Sequence, residues 1–165
     1  MRLVSRRLIL VAVCGMFVPD VALGEEKKLP PNNARVLRFA ETRIDKQVAD
    51  GDCWKLADLA LATAGALRPG RNGYRVYEFG RALKPDQAIL PGDIVQFAGA
   101  RFRSRNGARY DMPRHTAIVA SVSGTVIEIM HQNWNGVGKV TRLQLDLAEL
   151  RAGEVSVFRP QPTSR

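Results

Sequence analysis

Few residue types in this chain can do covalent chemistry, and they are few in number. Cys53 follows the turn Ala49-Asp50-Gly51-Asp52 and opens an apolar run of Trp54, Leu56, Ala57, Leu59, Ala60, Leu61 and Ala64. That spacing predicts a largely buried helix, capped by Asp52 and closed by Gly65 or Gly70. A thiol in the first turn of a helix faces unpaired N–H groups and the positive end of the helix dipole, and both favour the thiolate. Asp50 and Asp52 act in the opposite sense, because a neighbouring carboxylate raises a thiol pKa. The competing reading is a buried structural cysteine. Against it, the apolar stripe begins one residue after Cys53.

A thiol nucleophile needs a base, and His115 and His131 are the two histidines of the chain. His115 opens the run HTAIVASV, and His131 and Asn133 lie at the end of TVIEIMHQN; Ser123-Gly124 makes the turn between them. In such a hairpin His115 and His131 fall roughly opposite each other, and His131 and Asn133 share a face. A histidine oriented by a polar group on the adjoining strand is the arrangement that activates a cysteine. Zinc is the competing use of Cys53, His115 and His131, but the chain has no short-spaced ligand pair such as Cys-x-x-Cys. We therefore expect no metal and no cofactor.

The elements that must position these residues follow from pattern. Val36, Leu37, Phe39 and Ile44 are spaced for one face of a first helix, with Asn33 as its cap. Arg75 to Phe79 reads as a short strand, LPGD at 90–93 as a turn, and IVQF as the strand leaving it. Residues 100–114, rich in Arg and Gly, read as a long loop or hairpin. Asn135-Gly136 is a turn before KVTRLQLD; DLAEL is a helical turn, EVSVF a last strand, and 161–165 a frayed tail. A helix pair followed by an antiparallel meander makes the fold class α+β.

The N-terminal segment reads differently. Arg2, Arg6 and Arg7 precede the short apolar run LILVAVCGMFV, and Ala22-Leu23-Gly24 resembles a cleavage site. Residues 1–24 are thus expected to be a secretory signal peptide, 25–34 a linker, and 35–160 one domain, placing the protein outside the cytoplasm, secreted or periplasmic. The run is too short to span a bilayer. Cys53 is then the one cysteine of the exported part, and an unpaired thiol in an oxidising compartment is either deeply buried or kept for its reactivity. The whole chain carries a formal charge of +9. Removing three Arg and one Asp with the leader leaves roughly +7, a surface that favours polyanions. Repeats, membrane spans and nucleic-acid reading motifs are absent from the sequence, so the expectation is a monomer that meets an anionic cell-surface polymer and no specific nucleic acid.

GDCWKLADLAL, ILPGDIVQF and HTAIVASVSGTVIEIMHQNWNG, in this order and spacing, resemble the CHAP amidase/peptidase domain and its NlpC-type relatives over roughly residues 36–160. The resemblance implies a papain-like core, N-terminal helices on an antiparallel sheet, with Cys53 as nucleophile and His115 as base. It implies an orienting residue in the QN segment, Asn133 first and His131 second, since His131 stands where such domains commonly carry Glu. It implies the Cys53 N–H and Gln47, six residues upstream, as oxyanion donors. Trp54 and Trp134 flank the motifs as substrate contacts. Arg114, adjoining His115, is the best placed of Arg101, Arg103, Arg105, Arg109 and Arg114 to meet a substrate carboxylate. The implied function is an exported cysteine peptidase or amidase acting on peptidoglycan peptides. The alternatives are transfer of the acyl group to an amine and a non-catalytic domain that binds an anionic polymer or a protein partner.

Overall fold

A computed structural model describes residues 28–163, apart from 72 and 106; the expected signal peptide lies outside these residues. Helices α1 (Pro31–Glu41) and α2 (Cys53–Ala64) precede strands β1 (Arg81–Ala82), β2 (Ile94–Arg103), β3 (Arg109–Ser123), β4 (Val126–His131), β5 (Thr141–Asp146) and β6 (Leu150–Arg159). The strands form one antiparallel sheet in the order β1-β6-β2-β3-β4-β5. The architecture is α+β, as expected, but it is not a simple meander. The last strand returns across the sheet to pair with β2.

Each face of the sheet builds its own core. Ile94, Ile118, Met130 and Phe158 meet Val36 and Ala40 of α1 and Leu56, Ala57, Ala60 and Leu61 of α2. Val95, Phe97, Ala117, Val119, Ile127 and Ile129 pack on the other face under Trp134, Leu147 and Leu150. Successive strand residues point to opposite faces, so the alternation along β3 decides where each functional side chain goes. Thr116, Ile118 and Ala120 follow the helix side; His115, Ala117 and Val119 follow the other.

Asp52 caps α2 by accepting from the Trp54 N–H at 2.7 Å, and Gly65, at φ 67°, closes the helix in the left-handed region. α1 starts earlier than expected. Pro31 occupies its first turn after Pro30, and no side chain caps it, because a proline there carries no N–H to satisfy. Asn33 is not a cap. It is buried, and its Nδ2 donates to the Pro91 carbonyl (3.0 Å) and to Asp93 (2.7 Å). A Cβ at Gly92 would overlap the Asn33 carbonyl, so the LPGD turn needs glycine where it meets α1. Arg75 to Phe79 form a turn-containing loop, not a strand, with Phe79 buried. The tail is docked through residue 163: Pro162 bridges Ala66, and the Thr163 N–H donates to the Gly65 carbonyl.

Asp93 is fully buried and also accepts from the Leu90 N–H (2.8 Å) and from Arg159 Nε (3.1 Å) and Nη2 (2.8 Å). One carboxylate thus ties α1, the turn and β6 together. Asp93→Ala is expected to cost about 3–5 kcal/mol in urea unfolding at neutral pH, because it leaves a guanidinium and an amide buried without their acceptor. A loss below about 1 kcal/mol would show that the network relaxes onto water.

Candidate active site

Cys53 is the first residue of α2, a partly buried free thiol. Its own N–H and that of Trp54 face the sulfur, and the Trp54 N–H also donates to Asp52. α2 lies across β3, and the thiol faces the main-chain N–H of Thr116, which favours the thiolate. Burial outweighs this and pushes the thiol pKa up, and the Asp52 carboxylate adds to the rise. The depressed thiol expected from the helix start is therefore not what the site holds at rest.

His115 and His131 form a buried pair. His115 Nε2 lies 3.0 Å from His131 Nδ1, and the rings meet edge to face with centroids 5.0 Å apart. Continuing the Ile118↔Met130 register places His131 opposite Ala117, one diagonal step from His115. Phe97 stacks on His115 on one side, and Trp134 stands against both rings, 5.4 Å from His115 and 6.1 Å from His131. Burial lowers both imidazole pKa values to about 4, and for His115 the neighbouring His131 adds to the shift. Both rings are neutral at neutral pH.

Thiol and imidazole approach the same stretch of β3 from different sides. Among the described residues no hydrogen bond joins Cys53 to either ring. With Nε2 engaged by His131, the nitrogen of His115 left for the thiol is Nδ1, the one nearest its own main chain. That main chain leads in one peptide bond to the Thr116 N–H facing the sulfur.

Asn133, the first choice for the orienting residue, is not against His115. β4 ends at His131, and Asn133 is exposed in the left-handed region (φ 62°) with its N–H bonded to the Val137 carbonyl. His131 is the side chain that stands against His115 instead. Gln47 lies in the loop after α1, exposed; its Nε2 donates to the Ala49 carbonyl at 3.2 Å, and its amide packs beside Gly51 and Gly138. It stands close to the cysteine loop, with one of its two N–H donors taken by Ala49. Trp54 donates Nε1 to the Val76 carbonyl (2.6 Å), and the Arg114 guanidinium stacks on Tyr77 (5.1 Å), so both are tied to the same loop.

One residue was missed. Gln132, fully buried, accepts from the Val48 N–H (3.1 Å) and donates to the carbonyls of Val48 (3.0 Å) and Asp52 (2.7 Å). It clamps the loop carrying Cys53 to the residue after His131, and so fixes the cysteine and the histidine pair relative to each other. Its signal in the sequence is its place between His131 and Asn133.

Residues 33–164 match the AIM3/BBC1 cysteine proteinase-fold domain family. Altered inheritance of mitochondria protein 3 from Debaryomyces hansenii is 26% identical over 147 residues, covering 77% of this chain and 16% of that protein. The chain thus spans a small part of that relative. Among solved structures, Ly7917 with the hydrolyzing product of MDP superposes with a TM-score of 0.51 at 18% identity, over 78% of this chain and 62% of that one. Ly7917 alone gives 0.52 at 18% identity, over 76% and 62%. These likenesses show the papain-like cysteine proteinase fold.

Proposed function

The chain belongs to the AIM3/BBC1 cysteine proteinase-fold domain family, and from that premise we propose that it is an exported cysteine-dependent amidase or peptidase of CHAP/NlpC type. The observation that carries this reading is the His115 Nε2–His131 Nδ1 hydrogen bond, which leaves Nδ1 of His115 as the free nitrogen beside the cysteine-facing stretch of β3. The tautomer in which His115 Nε2–H donates to His131 makes Nδ1 a lone-pair base.

In the reaction, rotation of the Cys53 or His115 side chain brings Sγ and Nδ1 together at the Thr116 main chain, and Nδ1 takes the thiol proton as Sγ bonds to the substrate carbonyl carbon. The carbonyl oxygen becomes an oxyanion facing the Cys53 N–H, which lets go of the sulfur as the bond forms. Collapse breaks the C–N bond, and the proton on Nδ1 passes to the departing amine. Water then attacks the thioester; His115 accepts its proton and returns it to the sulfur, releasing the acid. His131 holds the tautomer and disperses charge on the His115 imidazolium. An amine in place of water would make the reaction acyl transfer.

Peptidoglycan stem or cross-bridge peptides are the substrate class proposed, on the strength of the motif resemblance and the basic surface; the solved neighbour's hydrolyzing product is in keeping with hydrolysis. Trp54, Trp134 and Arg114 are the proposed substrate contacts, with Arg114 offering its exposed guanidinium to a carboxylate. The second reading, a non-catalytic domain of the same fold that binds an anionic polymer or protein, is favoured by one observation: the thiol is pushed up, the rings are pushed down, and no hydrogen bond joins them. Release of new amino groups from purified peptidoglycan separates the two. The wild-type protein should release them, and Cys53→Ala should reduce the rate by at least ~10³-fold. Release that is absent from the wild type, or equal in Cys53→Ala, leaves the binding domain.

A further inference from the structure

β2 and β3 meet at a hairpin end where the Ser104 N–H donates to the Ala108 carbonyl, with β6 paired along the other edge of β2 as far as Phe102. Ala100, Phe102, Tyr110 and Met112 turn one side of this hairpin into the inner core. Alternation therefore puts Arg101, Arg103, Arg109 and Asp111 on the opposite side. Arg103 pairs directly across from Arg109, and Arg101 from Asp111. β6 adds Arg151 at a shift in register, between the Phe102↔Leu150 and Arg101↔Ala152 pairs. Together these residues line an open concavity of about 430 Å³.

The arrangement is costly for the fold alone. Like charges directly opposite each other on neighbouring strands are destabilising. The four guanidinium groups are exposed, and none takes part in an ion pair among the described residues. Asp111 is the one carboxylate lining the concavity. No large exposed apolar side chain lies there: Val76, Tyr77 and Val137 belong to other loops, and Phe102 is turned inward. The surface is built to hold charge, not to insert into a lipid bilayer. Guanidinium forks match phosphate oxygens two at a time. Same-side residues two apart on a strand stand about 7 Å from each other, so the patch meets several repeating charges.

We propose that this face binds a linear phosphate-bearing polymer. The site is separate from the thiol and goes beyond the catalytic reading, so the two stand or fall apart. The test is fluorescence anisotropy of the full chain with labelled inorganic polyphosphate across a salt series. Arg103→Gln/Arg109→Gln should weaken binding about tenfold or more at low salt and flatten the slope of log K against log salt by roughly 1 to 2. Cys53→Ala should bind as the wild type does, whatever its activity. Arg38→Gln/Arg71→Gln removes the same charge from exposed positions elsewhere and should change affinity less than about twofold. The Gln pair relieves a like-charge contact, so its thermal midpoint should not fall. If it does, Arg103→Lys/Arg109→Lys keeps charge and fold while losing the forks, and should still weaken binding. Unchanged affinity in the hairpin variants, an equal loss in the control pair, equal competition by dextran sulfate, or tighter binding to phosphatidylserine vesicles through the same arginines would each overturn the proposal.

Discussion

His115→Ala should lower amide hydrolysis by about 10²–10⁴-fold, the range over which a positioned general base acts. His131→Ala should cost about 10²-fold, the effect of letting a catalytic group drift by an ångström, and Asn133→Ala should leave the rate within about twofold, as a surface change away from the chemistry. The order follows from geometry. His115 carries the free ring nitrogen beside the cysteine-facing strand segment, and His131 holds its other nitrogen at 3.0 Å. Asn133 is exposed beyond the end of β4. Both rings are buried, at 3% and 1% exposure, so truncation also leaves a cavity. His115→Gln, which fills much of the space, should show the same loss of turnover with less loss of thermal stability. The rates to compare are kcat values at saturating substrate, with folding checked by near-ultraviolet circular dichroism. A larger loss in Asn133→Ala than in His131→Ala would return the orienting role to the asparagine. Near-normal turnover in His115→Ala would remove it as the base.

Local signals were legible where local chemistry decides. The Asp52 cap, the Cys53 helix start, the Gly65 stop, the LPGD turn and the Ser123-Gly124 hairpin are each set within a few residues, and each stands where the pattern placed it. What the pattern could not carry is long-range. Asn33 reads as a cap by type and position, yet its amide is claimed by Pro91 and Asp93, some sixty residues on. The return of β6 to β2 is a pairing between distant segments, and a hydrophobic run contains no record of its neighbour. The histidine pair was half visible. Alternation correctly puts His131 and Asn133 on one face of an ideal strand, but β4 stops at His131, and the positive φ at Asn133 turns that side chain away. Gln132 went unseen as a clamp because its partners, Val48 and Asp52, are defined only once the cysteine loop has folded against β4.

The charge state of Cys53 and the two rings sets the last expectation. A thiolate–imidazolium couple would keep alkylation by iodoacetamide fast well below the usual thiol pKa. The site instead buries a thiol whose pKa is raised and two imidazoles held at about 4. Alkylation of Cys53 in the free protein should therefore fall about tenfold for each unit of pH below a midpoint that lies above the ordinary thiol value of ~8.5. The same pKa values bear on folding. Between pH 6.5 and about 4 the unfolded chain binds protons on His115 and His131 that the native protein refuses. Stability therefore rises with pH across this window: it is fully present above 6.5 and is lost as the pH falls toward 4. One ring shifted this far contributes on the order of 3 kcal/mol, and the second adds less than its full share because the two titrate together. Urea unfolding midpoints measured from pH 7 to pH 4 should drop steeply in the wild type. Replacing His131 by Asn should make that drop shallower, since one refused proton is removed and His115 is relieved of its charged neighbour. An alkylation rate that holds level down to pH 5, together with a flat stability profile, would mean that the proton already sits on the ring and the sulfur is ionised at rest.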